Sequence, residues 1–160
     1  IPAVEKGVRQ VLDDGAIAGY PLQDVKVIVY DGKHHPVDSK EIAFVAAGKR
    51  AFSDAISKAK PIVLEPIAKI EVTTPNNYVG DITGHLSGIR GRIAGSDATA
   101  GNRVKISAEV PLAELGDYQT TLKSLTGGEG TFTMEFDHYE KTPPGVQKIL
   151  EKAFRPASEE

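Results

Sequence analysis

The chain of 160 residues is 40% hydrophobic and 26% charged, which is the balance of a globular protein with a buried core. Its formal net charge of −3 argues against a protein that coats nucleic acid by charge alone, but it permits RNA contact at a few points. The absence of cysteine excludes disulfides, thiolate metal sites and a cysteine nucleophile.

The N-terminal residues and the lengths of the apolar runs bear on whether the chain is secreted or spans a membrane. The first residues, Ile1 to Val4, lack an initiator Met and the features of a signal peptide, so we expect the chain to begin within a longer protein. The apolar runs 42–47 and 61–64 are far shorter than the roughly 18 residues of a membrane span. We therefore expect a soluble, cytoplasmic segment without a membrane partner.

The N-terminal part of the chain predicts a short helix and then a strand. Apolar residues recur at helical spacing between Pro2 and Gly15, and glycine is typical just after a helix. In the segment 25–30, valines alternate with Lys, Ile and Tyr at a period of two. This pattern predicts a strand that is apolar on both faces and ends at the turn dipeptide Asp31-Gly32.

The loop 33–37 joins this strand to a longer predicted helix. Asp38-Ser39-Lys40-Glu41 resembles a capping box with Asp38 as the N-cap, and Pro61 ends the helix. Its buried stripe is predicted to consist of Ile42, Val45, Phe52, Ile56 and Ala59. Pro61 and Pro66 bracket a short apolar segment, and the pattern restarts beyond it, so we predict two domains, 1–65 and 66–160.

The second domain predicts the order β-α-β-β-α-β. The expected strands are 67–74, 92–95, 103–110 and 131–138, with a loop at 96–102. A first helix has Val79, Ile82 and Leu86 inward; a second, opened by Pro111, has Leu112, Leu115, Leu122 and Leu125 inward. In the last strand, Phe132, Met134 and Phe136 share one face. The order is that of the ferredoxin-like α+β fold, a four-stranded antiparallel sheet with two helices on one face. After Pro143-Pro144, a C-terminal helix is expected with Val146, Ile149, Leu150 and Phe154 on its apolar side.

Glycine motifs give no nucleotide site. Neither Gly32-Lys33-His34 nor the segment 127–130 has Walker A spacing. The series Gly84, Gly88, Gly91 and Gly95 follows a predicted helix instead of opening one, so it is interpreted as a helix exit and a turn. We therefore expect no cofactor, no catalytic residue and no enzymatic activity in this segment.

His34 and His35 are the residues most suggestive of a site. Imidazoles bind metals and titrate near neutrality, but adjacent side chains of an extended loop point apart, and Asp38 is needed as a cap. A metal or acid–base site is therefore disfavoured against an exposed loop. A tip that carries Lys33, two histidines and Pro36 suits contact with RNA phosphates and bases.

Two groups of basic residues have two interpretations each, a solvated face or a phosphate contact. One group, on the long helix, consists of Lys49, Arg50, Lys58 and Lys60. The other, near the predicted hairpin, consists of Arg90, Arg92, Arg103 and Lys105. His85 and His138 are interpreted as helix-face and strand-end residues, because neither has a carboxylate or histidine partner at a usable local spacing.

Several stretches resemble bacterial elongation factor G over nearly the whole chain. Those that resemble its fourth domain and the exit from it are Ile1-Pro2-Ala3-Val4-Glu5-Lys6-Gly7, Ala18-Gly19-Tyr20-Pro21, Val37-Asp38-Ser39, Ala59-Lys60-Pro61 and Leu64-Glu65-Pro66-Ile67. Those that resemble its fifth domain are Gly80-Asp81, Ala108-Glu109-Val110-Pro111-Leu112, Leu122-Lys123-Ser124-Leu125-Thr126 and Thr133-Met134-Glu135-Phe136.

The resemblance implies a C-terminal fragment of a ribosomal translocase. The first domain is then a truncated split β-α-β unit, similar to domain 2 of ribosomal protein S5, with a left-handed crossover. The tip loop, with Lys33, His34, His35, Pro36, Val37 and Asp38, then contacts tRNA and mRNA at the decoding centre, and His35 is the family's tip histidine. Arg90, Arg92, Arg103 and Lys105 are then possible contacts to large-subunit rRNA. GTP and Mg are expected upstream, and the expected partners are rRNA, tRNA and mRNA, not DNA, for a monomeric protein.

The chain departs from the family pattern at three positions. Ile89 and Glu129 stand where arginines are common, and Pro36 stands where an acidic residue is usual. These changes favour an elongation-factor-G-like paralogue in ribosome recycling or protection as an alternative. A stand-alone ferredoxin-like module that binds a small ligand is the alternative from another class.

Overall fold

The computed structural model describes residues 1–35 and 40–154. The described helices are α1 (Pro2–Asp14), α2 (Glu41–Lys58), α3 (Val79–Gly88), α4 (Tyr118–Leu125) and α5 (Pro144–Ala153). The described strands are β1 (Leu64–Pro75), β2 (Arg92–Thr99), β3 (Arg103–Pro111) and β4 (Thr131–Lys141), with 3₁₀ turns at Asn76–Tyr78 and Leu112–Leu115. One compact unit comprises Ile1–Val63 and the segment that begins at Thr142; the other comprises Leu64–Lys141.

The first unit is built on the packing of α1 against α2. Two glycines bring the helix backbones into contact. A Cβ on Gly7 would lie 2.2 Å from the carbonyl oxygen of Val45, and a Cβ on Gly48 would lie 2.6 Å from that of Val4. The small core beside this crossing consists of Val8, Val11, Phe52 and Ile56. As predicted, α1 ends before Gly15, whose φ of 84° lies in the left-handed region that glycine tolerates.

The predicted strand at 25–30 is wrong. These residues carry no strand pairing, and their apolar side chains are exposed, up to 94% for Tyr30. A period-two pattern of apolar residues suits a segment to a sheet, but a stable strand also needs a neighbouring strand with which its backbone can form hydrogen bonds. Within the described residues, the paired strands belong to the second unit.

The predicted start of the long helix is also wrong. Its N-cap is Lys40, which makes no side-chain capping hydrogen bond, and Asp38 and Ser39 lie outside the described residues. In the stripe, Phe52 and Ile56 are buried as predicted, but Ile42 is 76% exposed and Ala59 is exposed. The buried positions follow Gly48 at intervals of four, and Ile42 does not fall on that line.

The second unit has the predicted ferredoxin-like arrangement. Its strands form an antiparallel sheet in the order β2-β3-β1-β4. The core between this sheet and the helices consists of Ala68, Ile70, Val72, Ile82, Leu86, Ile106, Ala108, Val110, Leu115, Tyr118 and Leu122. The predicted loop at 96–102 is too long, because β2 continues to Thr99 in register with Arg103. Polar residues are tolerated there because every residue of this edge strand is exposed.

Two predicted apolar faces are only partly covered. Leu112 is 42% exposed, because the segment after Pro111 is a 3₁₀ turn and α4 begins separately at Tyr118. Phe132 packs against the core, whereas Met134 and Phe136, on the same face, are 51% and 58% exposed.

The C-terminal helix α5 packs in the first unit, whereas the sequence analysis assigned it to the domain 66–160. The side-chain amide of Gln147 accepts a hydrogen bond from the Val63 N–H and donates one to the Pro61 carbonyl, both at 3.2 Å. Ile149, predicted to be on the apolar side, is 68% exposed. Among the described helices, none combines the length and apolar character needed to cross a bilayer.

Candidate nucleic-acid interface

The described part of the predicted tip loop is exposed. Lys33, His34 and His35 all have exposed side chains, and Pro36, Val37 and Asp38 lie outside the described residues. At the base of the loop, the Gly32 N–H donates a hydrogen bond of 2.7 Å to the Asp31 carboxylate. The tip therefore presents one lysine and two imidazoles to solvent.

Within residues 1–35 and 40–154, no group of three or more histidine, aspartate or glutamate side chains could hold a metal ion.

Arg90 forms hydrogen bonds with two carboxylates of its own unit. Its guanidinium donates two parallel hydrogen bonds to Glu65, at 2.8 and 3.0 Å, and a third to Glu114 at 3.1 Å. The hydrogen bonds to Glu65 are the main reason that the pKa of Arg90 is raised. The Arg90 side chain is 30% exposed and that of Glu65 only 11%. Arg90 therefore links the end of α3 to the start of β1 and to the 3₁₀ turn after β3.

Arg92 lies in a chain of charges across the sheet. It donates hydrogen bonds to Glu109 at 2.7 Å and to Glu140, and these bonds, above all those to Glu140, raise its pKa. Hydrogen bonds from Arg92 and then His138 lower the pKa of Glu140 to about 2. The charge of Arg92 is thus compensated by two carboxylates of its own unit.

Arg103 and Lys105 are less compensated. Arg103 donates to the main-chain carbonyl of Glu129 at 2.6 Å, a dipole that leaves the cationic charge in place. Lys105 lies 3.4 Å from the carboxylate of Glu71, and both side chains are more than one third exposed. Of the four predicted rRNA contacts, these two keep the more available charge.

His138 has the partners that the sequence analysis did not find. Its ring nitrogens contact the carboxylates of Asp137 and Glu140, the second at 2.8 Å. The bond to Glu140, followed by that to Asp137, raises the pKa of His138. In an extended strand, residues 138 and 140 lie on the same face, so the spacing of two was the available signal.

His85 lies on α3 beside Tyr118, with ring centroids 5.7 Å apart, and this position agrees with the predicted helix-face role. Tyr118 also packs edge-on to Phe132 at 5.0 Å, and burial raises the pKa of Tyr118 to about 12. Within the described part of the chain, the Tyr118 hydroxyl and His85 Nδ1 are buried without a hydrogen-bond partner.

The basic residues of α2 are mostly solvated. Lys58 pairs with Asp54 at 2.6 Å, one turn earlier, with both side chains largely exposed. Arg50 is exposed and Lys49 is half-buried. Lys60, which the sequence analysis placed on this helix, lies two residues beyond its end at Lys58 and is exposed. Such an exposed pair contributes little to stability.

The sequence analysis missed the carboxylates that neutralise the arginines. The partners of Arg90 and Arg92 are 17 to 48 residues away in sequence, so only the tertiary fold brings them together. The first unit thus has an exposed tip with Lys33, His34 and His35, whereas the second unit compensates the charges of Arg90 and Arg92 more than those of Arg103 and Lys105.

Comparisons with known proteins match both halves of the chain. The family model for elongation factor G, domain IV, matches residues 1–60, and that for the elongation factor G C-terminus matches residues 62–150. The chain is 52% identical over 152 residues to elongation factor G of Aquifex pyrophilus, a match that covers 95% of this chain and 21% of that protein. It is 45% identical over 161 residues to an elongation factor G-like protein of Thermotoga maritima, a match that covers the whole chain and 24% of that protein.

A crystal structure of a protein from Thermus thermophilus is similar to this chain, with a TM-score of 0.73 and 39% identity. The similarity covers 95% of this chain and 23% of that protein. The chain thus spans about a quarter or less of the length of each of these relatives.

Proposed function

The chain belongs to the elongation factor G family, and from that premise we propose that it is the ribosome-binding C-terminal segment of a translational GTPase. The observation that carries the proposal is the consecutive match of two family regions, over residues 1–60 and 62–150, in one chain. We infer that the longer protein is cytoplasmic and binds GTP and Mg in a region outside these residues. The same premise leaves a stand-alone ligand-binding module without support.

The tip loop is the proposed contact to tRNA and mRNA at the decoding centre during GTP-dependent translocation. The exposure of Lys33, His34 and His35 supports this proposal, because imidazole rings stack on bases and lysine attracts phosphates. His35 is the proposed central residue of the tip.

Large-subunit rRNA is the proposed partner of the second unit. Arg90, Arg92, Arg103 and Lys105 are all candidate contacts. We rank them by how strongly partners within the chain compensate their charges. Arg103 and Lys105 come first because a phosphate need not displace a tight ion pair. Arg90 and Arg92 come second because each donates to two carboxylates.

A second candidate function is that of an elongation-factor-G-like paralogue in ribosome recycling or protection. The observation that favours it is the internal neutralisation of Arg90 and Arg92, together with Ile89 and Glu129 at positions where the family commonly has arginines. Translocation by such a protein is expected to be slow even without mutation.

Translocation kinetics on programmed ribosomes, with the longer protein encoded by the same gene, test the proposal. We expect His35→Ala to slow tRNA–mRNA movement while ribosome-stimulated GTP hydrolysis stays near its original rate. Gln23→Ala is the matched control, because Gln23 is exposed before the tip loop. Equal movement by the His35→Ala variant and the unmutated protein would refute the tip assignment, and fast movement by the unmutated protein would refute the paralogue candidate.

Calorimetric titration of the 160-residue chain with GTP and Mg tests the placement of the nucleotide site. We expect no binding, because the sequence has no phosphate-cradling loop followed by Lys-Ser/Thr. Micromolar affinity would contradict the assignment of GTP binding to another part of the protein.

A further inference from the structure

Two aspartates of the chain are followed directly by glycine, in the pairs Asp14-Gly15 and Asp31-Gly32, and no asparagine is. An Asp-Gly pair is chemically reactive, because the glycine nitrogen can attack the side-chain carboxyl carbon of the aspartate and close a five-membered succinimide ring. Glycine has no side chain to obstruct that approach. The structure places the two pairs in opposite environments, and the environment decides which pair reacts in the folded chain.

The pair Asp31-Gly32 is open to this reaction. Both residues are exposed, and the segment 25–35 has no helix or strand pairing. The Gly32 nitrogen lies 2.7 Å from a carboxylate oxygen of Asp31. Since that oxygen lies about 1.2 Å from its carbon, the nitrogen is within about 4 Å of Asp31 Cγ, close to the separation of about 3–3.5 Å at which atoms react. Among the described residues, none except the chain neighbours comes within 4 Å of the position of a Cβ on Gly32.

The pair Asp14-Gly15 is protected by the fold. The Gly15 N–H donates a hydrogen bond of 3.0 Å to the carbonyl oxygen of Val11 at the end of α1. Gly15 is buried, and a Cβ on it would lie 2.6 Å from the main-chain nitrogen of Tyr20. The Gly15 nitrogen can therefore attack only after the last turn of α1 has opened, and that opening adds a free-energy cost that Asp31-Gly32 does not have.

We propose that Asp31 is a modification site, at which the folded chain isomerises spontaneously to a β-linked isoaspartate. The Gly32 nitrogen loses its proton and forms a bond to Asp31 Cγ, while the bond from Cγ to the carboxyl hydroxyl breaks and one water leaves. A second water then adds to the main-chain carbonyl carbon of residue 31, whose bond to the Gly32 nitrogen breaks, and the nitrogen leaves the ring as an amide with its proton restored. The peptide link now runs through Cβ and Cγ, and the former main-chain carbonyl carbon is a free carboxylate. One water leaves and one enters, so the product has the composition of the original chain and nothing is oxidised or reduced.

The product changes the base of the tip loop. A β-linkage lengthens the main chain by one carbon two residues before Lys33, and the carboxylate of residue 31 then branches from a different carbon. The extra carbon shifts the chain that leads to Lys33, His34 and His35, so the modified chain presents these exposed side chains differently to a partner. The reaction itself does not require the proposed ribosomal role, because it depends only on contacts within the chain.

Peptide mass spectrometry of the 160-residue chain, aged at neutral pH, tests the proposal. Electron-transfer fragmentation cleaves the Cα–Cβ main-chain bond that only the β-linked form has, and the succinimide is lighter by one water. In the folded chain, we expect isoaspartate to form at residue 31 at least about tenfold faster than at residue 14. In urea the two rates should agree within about threefold, because both pairs lose their contacts.

Three outcomes would overturn the proposal. The first is an equal or faster reaction at residue 14 in the folded chain. The second is the absence of product at residue 31 of the folded chain after both sites have reacted in urea. The third is a tenfold excess at residue 31 that persists in urea, because the difference would then not come from the fold.

Gly32→Ala is the variant that tests the attacking nitrogen. Its methyl group obstructs the approach to Asp31 Cγ, so isomerisation at residue 31 should slow by at least about tenfold. The open space around Gly32 accommodates the methyl group, so amide exchange in α1 and α2 should change by less than about twofold. Lys26→Ala is the matched control, since Lys26 is exposed in the same segment, and it should leave the rate at Asp31 within about twofold of the original. An unchanged rate in Gly32→Ala would refute attack by the Gly32 nitrogen.

Discussion

Replacing Gly7 by alanine tests the packing of the first unit. The added Cβ would lie 2.2 Å from the Val45 carbonyl oxygen and 3.0 Å from the Lys49 nitrogen, both backbone atoms of α2. Ordinary contact begins near 3.4 Å, so the helices must separate by about 1.2 Å. Overpacking of this kind costs about 1–3 kcal/mol of stability, and we expect the upper end here because backbone atoms cannot rotate aside. The higher helix propensity of alanine offsets about 1 kcal/mol of this cost. We therefore expect a net loss of about 2 kcal/mol in the first unit.

Amide hydrogen exchange, resolved by peptide, measures this loss within each unit. Exchange through unfolding of α1 and α2 should accelerate about thirtyfold in the Gly7→Ala variant, since about 1.4 kcal/mol corresponds to a factor of ten. Gly84→Ala is the matched control: Gly84 is also inside a helix, α3, but nothing lies within 4 Å of an added Cβ. The control should slow exchange in α3, by about 0.5–1 kcal/mol of added stability. Unchanged or slower exchange of α1 and α2 in Gly7→Ala would refute the backbone contact.

Three further predictions concern polar groups of the second unit. Glu65→Gln should lower the free energy of unfolding by about 1–2 kcal/mol in urea titrations, because it breaks the paired hydrogen bonds to Arg90. Glu114→Gln should lower it by less than about 0.5 kcal/mol, because this ion pair is more exposed. Equal losses in the two variants would contradict the greater contribution of Glu65. The raised pKa of His138 should appear as an NMR titration midpoint above the ordinary value of about 6.5, and the stability it contributes should be complete below that pH and lost as pH rises through the raised pKa; a midpoint at or below about 6.5 would contradict the carboxylate contacts. Tyr118→Phe should leave the free energy of unfolding unchanged or raise it by up to about 1 kcal/mol, because the buried hydroxyl has no hydrogen-bond partner within the described residues, and a loss above about 1 kcal/mol would show that it has one.

The outcomes at particular residues show which signals were readable in advance. The helix that ends just before Gly15 and the βαββαβ order of the second unit follow from local patterns, and both were predicted. The absence of strand pairing at 25–30 was not predicted, because the alternating pattern implies a pairing partner that the described chain does not offer. Likewise, Asp38 was expected to cap α2, but the helix begins beyond it at Glu41.

The residues of the candidate interface also fall into those whose state was predicted and those whose state was not. The exposed positions of Lys33, His34 and His35 agree with an expectation drawn from their place in a loop. The pairing of the arginines was not predictable, because the carboxylates that Arg90 and Arg92 contact are far away in sequence and only the tertiary fold brings them close.

The helical periods, the strand order of the second unit and the motifs of the family were readable in advance, because they are short-range features of the chain. Which apolar residues are covered, which charges are compensated and which unit contains α5 depended on the tertiary structure. Met134 and Phe136 have the same alternation as Phe132, yet only Phe132 meets the core. The physical reason is that burial and ion pairing depend on which surfaces meet in space, and residues far apart in sequence supply the second surface.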